Sequence, residues 1–126
     1  MTPSLNNPLP LKANVVARKL FLHISDEWQL TPVQNRQLFS FLSNQQYEAW
    51  MSGELNSEHK DLLTLVSYLI AIHKQLHQIF ADPIQANAWI SKPNREFQNR
   101  SSLKIIADYG FEGAQTVLGY LENQLN

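Results

Sequence analysis

His73 and His77 stand four residues apart in an apolar run, and on a helix that spacing can bring two imidazoles to one metal ion. A zinc hydrolase would carry Glu directly after the first histidine, where this chain has Lys74. No obvious carboxylate or further His completes the three ligands that catalytic zinc needs, so partly buried or surface histidines fit the pattern better. There is no cysteine, which removes thiol nucleophiles, Cys-ligated zinc, iron–sulfur clusters and disulfides. The four glycines form neither a phosphate-cradling loop nor the Gly-x-Ser-x-Gly turn of a serine hydrolase. No catalytic residue, metal set or cofactor follows from the sequence, and the expectation is a protein that is not an enzyme.

Two further groups have the chemistry of binding. Asn44, Gln45 and Gln46, which can read adenine, lie near Arg36, the only basic residue from Thr31 to Ser52. Phosphate contacts supply most non-specific DNA affinity, so a unit with one base fits a structural role with a solvated polar face better than autonomous DNA binding. The second group is Lys92, Arg95, Arg100 and Lys104, four of the ten basic residues, opposed locally only by Glu96. From Ile105 to Asn126 there are three acids and no base. This asymmetry fits a contact surface for an acidic or phosphate-bearing partner as well as it fits ordinary solvated charge. Trp89 and Phe97 bracket the segment, and aromatic rings beside Arg and Asn are the composition of an interface hot spot, or of a loop pinned to its core.

These groups must be positioned by helices. Met1 to Pro10 holds three prolines and two asparagines without periodicity and reads as an arm. From Leu11 to Trp28, Ala17, Leu20, Phe21, Ile24 and Trp28 follow helical spacing. Thr31, Pro32 and Gln34 form a capping box for a second helix with Leu38, Phe41 and Leu42 inside, and Ser43 with Gln46 caps a third with Tyr47, Trp50 and Met51 on one face. Gly53 stops it. Together these two helices have the layout of a helix-turn-helix. Ser57 is placed to cap the next helix, whose middle turns are apolar over most of their circumference from Leu62 to Phe80, as in a centrally buried helix. Asp82-Pro83 opens a short helix through Trp89, and a loop runs from Lys92 to Ser101. Ser101 or Ser102 caps a helix carrying Leu103, Ile106 and Tyr109, Gly110 ends it, and a last helix puts Ala114, Val117, Leu118, Leu121 and Leu125 on one face. With no strand pattern competing, the predicted fold is all-α, a compact bundle of about seven helices.

The chain of 126 residues suits a single core. A formal net charge of −1 leaves no global footprint for nucleic acid or an anionic membrane. Eleven Asn and eleven Gln supply much of the polarity, which points to recognition by hydrogen bonds and shape. No apolar stretch approaches a membrane span and the N-terminus lacks the marks of a secretion signal, so a soluble, cytoplasmic protein is expected.

Ile72-His73-Lys74, Leu76, Phe80, Ala86, Trp89-Ile90, Pro93-Asn94, Phe97, Arg100-Ser101, Leu103 and the run Val117 to Leu121 resemble the toxin-binding domain of Xre/MbcA/ParS-type antitoxins. Upstream, Trp28-x-Leu30-Thr31, the Tyr47 to Trp50 helix and Gly53 resemble the short helix-turn-helix unit that precedes that domain. The resemblance divides the chain into an arm (1–10), a helix-turn-helix-like region (11–80) and a toxin-binding region (81–126) sharing one core. It implies a type II antitoxin that binds a RES-domain toxin, a NAD-degrading enzyme, and covers its active-site entrance. The implied contacts are Tyr120, Gln124 and Asn126 on the C-terminal helix and tail, with Trp89, Asn94, Phe97 and Arg100 on and beside the loop. Members usually carry Gly between the Phe and the Arg-Ser, where this chain has Asn99; Asn is the next most tolerant residue for a left-handed backbone, which lets the loop survive. The alternative is a DNA-binding regulator reading its promoter through Arg36, Asn44, Gln45 and Gln46. That reading requires a homodimer spacing two recognition helices about one DNA turn apart.

Overall fold

The structure, a computed structural model, describes residues 8–125, with side chains over residues 13–124. Six helices and one minimal ladder follow in order: α1 (Pro8–Glu27), α2 (Pro32–Leu38), α3 (Asn44–Met51), α4 (Lys60–Ile79), α5 (Pro83–Ala88), β1 (Pro93–Asn94), β2 (Arg100–Ser101) and α6 (Ser102–Leu125). Single 3-10 turns at Trp89–Ser91 and Arg95–Phe97 flank β1. The fold is all-α, as its patterning predicts. The arm read over Met1 to Pro10 is shorter than expected, because α1 already includes Pro8 and Pro10; prolines are tolerated there since first-turn amides have no helical acceptor. Met1 to Asn7 lie outside the described residues.

Local chemistry sets most helix ends. Thr31 and Ser43 each accept from the backbone three residues on, while Gln34 and Gln46 reach back to the cap amides, so both capping boxes form. Ser101 Oγ accepts from the Lys104 amide and caps α6. The cap of α4 is His59, not Ser57: its Nδ1 accepts from the Leu62 amide, whereas the Ser57 carbonyl is held by the Asn14 amide. Asp82 caps α5 through the Ile84 amide.

The core runs through every helix. α4 packs against α1, α5 and α6, with Leu62, Leu65, Val66, Leu69, Ile72 and Leu76 buried along it. At one end Phe21, Phe39 and Trp50 interlock, with Phe39 4.8 Å from Trp50 and 4.9 Å from Phe21 between ring centroids. Some expected core positions are outside: Leu20 and Phe41 are exposed, and Tyr109 is 56% exposed, while Phe39 and Ile105 are buried. α6 is broken at Gly110, whose φ of 64° and ψ of −139° suit only glycine. The break separates the two helices expected there. Just beyond it, a Cβ on Gly113 would lie 2.4 Å from the Ile105 carbonyl oxygen.

Candidate functional site

The loop between α5 and α6 is a built element. Pro93 pairs with Ser101 and Asn94 with Arg100 in an antiparallel ladder, a strand contact that the helical patterning did not predict. Asn94 Oδ1 accepts from the Glu96 amide and starts the intervening turn. Gln98 and Asn99 then take φ of 58° and 65°, so Asn99 adopts the left-handed backbone expected for it. The Asn99 amide closes the loop on the Asn94 carbonyl at 2.9 Å.

This loop is fastened to the C-terminal helix by aromatic packing. Trp89 stacks on Tyr120 at 6.1 Å with planes 12° apart, and Phe97 meets the same ring edge-on at 5.5 Å. Phe97 is buried, while Trp89 and Tyr120 are partly exposed. Arg100 donates from Nε to the Phe97 carbonyl and lies 3.7 Å from Asp108 with Tyr109 5.8 Å beneath its guanidinium. Lys104 bonds Asp108 at 3.0 Å. Lys92 and Arg95 are exposed and form no ion pair among the described residues. Gln124 is exposed on α6, its amide 3.5 Å from the Tyr120 carbonyl. Trp89, Asn94, Phe97, Arg100, Tyr120 and Gln124 thus belong to one region, and Asn126 lies outside the described residues.

The residues read as possible DNA contacts are used differently. Arg36 donates to the Phe39 and Leu42 carbonyls and to Asn44 Oδ1, and its guanidinium lies 4.9 Å from the Tyr47 ring centroid. It satisfies carbonyls at the end of α2 and braces the start of α3. Burial raises the Tyr47 phenol above its ordinary range, an effect that Arg36 partly offsets. Gln46 serves the capping box. Gln45 is exposed and makes no side-chain hydrogen bond among the described residues.

A second cluster spans α1 and α4, and sequence spacing reached only half of it. The carboxylate missing beside His73 and His77 is Glu27, from the end of α1. Its Oε1 accepts from His73 Nε2 at 2.6 Å, and the side chains are 33% and 22% exposed. His23, one turn earlier on α1, comes within 3.7 Å of the other carboxylate oxygen. The hydrogen bond from His73 holds the Glu27 carboxyl below its ordinary range, against the opposing effect of burial. The only sequence signal was a pair of i, i+4 couples, His23 with Glu27 and His73 with His77; that their faces meet depends on how α1 packs on α4.

No protein-family model, curated protein or solved structure matches the chain. Among the described residues, no helix is long and apolar enough to cross a membrane.

Proposed function

We infer that this chain is an antitoxin that acts in the cytoplasm by binding a RES-domain toxin and occluding the entrance to its NAD-degrading site. One observation carries the reading: Tyr120 on the C-terminal helix packs with both Trp89 and Phe97. The two segments that the resemblance assigns to toxin contact are therefore joined by one aromatic cluster. Partly exposed Trp89 and Tyr120, backed by buried Phe97, with exposed Lys92 and Arg95 on the same loop, have the composition of an interface, aromatic anchors with polar groups nearby. The two unpaired bases favour an acidic rim on the partner.

The test is co-expression with RES-domain proteins from the same genome, followed by co-purification and an assay of cellular NAD. A stable complex with restored NAD is the expected result. Deleting residues 122–126, or reversing charge with Lys92→Glu and Arg95→Glu together, should abolish protection while leaving the thermal melt of the free protein nearly unchanged. Absence of both complex and protection overturns the reading, and full protection by both variants removes this surface from it.

A further inference from the structure

We propose that Glu27, His73 and His77 form a binding site for a divalent transition-metal ion of the zinc class, linking the end of α1 to the last two turns of α4. Each residue places one ligand atom within 4.8 Å of the other two. In a tetrahedral zinc site, with bonds of about 2.0–2.1 Å, neighbouring ligand atoms lie roughly 3.3 Å apart. The three groups are thus within a side-chain adjustment of a chelating triangle. Two imidazoles and a carboxylate suit zinc, cobalt or nickel, whereas calcium and magnesium favour all-oxygen ligation.

The hydrogen-bond geometry shows how an ion would enter. A carboxylate only accepts, so His73 carries its proton on Nε2, between the ring and Glu27. The ion takes that proton's position, the proton moves to Nδ1 of the neutral imidazole, and the 2.6 Å contact opens to the ligand spacing. Asn87 Oδ1 accepts from His77 Nε2 at 3.0 Å, leaving the lone pair on Nδ1, an arrangement in which a ligating histidine gives its other N–H to a carbonyl. His73 and His77 rings are 4.5 Å apart between centroids, side by side on one face of α4. The fourth position falls to water or to His23, whose ring is 6.4 Å from that of His73. With Lys74 exposed beside His73 where a zinc hydrolase would place Glu, the site is assigned as a staple between two helices.

Untagged full-length protein, stripped with a chelator, is titrated with Zn2+ at neutral pH by calorimetry and followed by histidine-ring NMR. The expected result is one ion per chain at micromolar or tighter dissociation constant, with a melting temperature raised on the order of 10 °C at a hundredfold excess over Kd. Ring resonances of His73 and His77 should shift, and those of His59 should not. Glu27→Gln should weaken binding about tenfold or more, while His59→Asn, which keeps a capping side chain at the start of α4, leaves it unchanged. The proposal is overturned by no saturation up to about 100 µM free Zn2+, by unmoved His73 and His77 rings, or by undiminished binding in folded Glu27→Gln. Should that variant fail to fold, the wild-type ring shifts decide.

Discussion

Asn14 shows how much one side chain can hold. It is 2% exposed, and its side-chain amide donates to the Leu55 and Ser57 carbonyls at 3.0 Å each, while its backbone carbonyl accepts from the Trp50 indole. Helical spacing offers no reason to single it out, because its partners lie about forty residues away. Asn14→Ala leaves those two carbonyls without their donor and should lower stability by about 1–3 kcal/mol in a urea titration; a loss under about 0.5 kcal/mol would mean water replaces the amide. Gln29 presents the opposite case. It holds φ of 57° after α1, donating to Asp26 while Leu30 donates to Ser25, the Schellman pattern that normally carries glycine. Gln29→Gly relieves the left-handed strain and should raise stability by roughly 0.5–1 kcal/mol, and a destabilised variant would show that the Gln side chain contributes more than the backbone strain costs. Arg36→Ala, the natural substitution for testing DNA binding, also removes hydrogen bonds to Phe39, Leu42 and Asn44. Gln45→Ala is the cleaner test.

At the scale of elements, two of the errors of periodicity occur where helices stop, while the third, Leu20, is exposed within α1. Phe41 lies on the expected inner face of a helix continuing past residue 40, but α2 ends at Leu38. In the turn that follows the 3.6-residue period no longer applies, and Phe39 takes the interior position at 0% exposure. Tyr109 similarly precedes the break at Gly110 and is turned outward. The kink in α6 depends on two glycines for different reasons, the backbone angle at Gly110 and the close approach at Gly113. Gly113→Ala sets a methyl against the Ile105 carbonyl and should cost about 1–3 kcal/mol by overpacking, measured as a lowered melting temperature with unchanged helical content at 20 °C. A gain in stability, as alanine gives in an unobstructed helix, would show that the two segments of α6 separate readily.

For the whole molecule, the buried residues from Ala17 to Leu121 form one cluster, and α4 contributes faces to α1, α5 and α6 together. Removing the region after residue 80 would uncover α4 along its α6-facing side and take Ile90, Ile106, Ala114 and Val117 out of the core. Unfolding in urea should therefore be a single transition, coincident by far-ultraviolet circular dichroism and by tryptophan fluorescence. A fragment of residues 1–80 should lack cooperative melting. Two separated transitions would show that the helix-turn-helix-like part and the region after it are independent units.

The all-α class, the central placement of α4, the two capping boxes and the stop at Gly110 follow from the sequence, because each depends on residues within one or two helical turns of one another. The short ladder from Pro93 to Ser101, Asn14's partners and the role of Arg36 are decided by tertiary structure. Their energies come from backbone groups brought together by chain reversal or by the packing of α1 on α3 and α4. The same division holds at the sites. Spacing places His73 beside His77 and marks Trp89 and Phe97 around their loop, but only the packed bundle brings Glu27 to the first pair and Tyr120 to the second. Periodicity determines which face of a helix is apolar; which neighbour that face meets depends on how all the helices share one core.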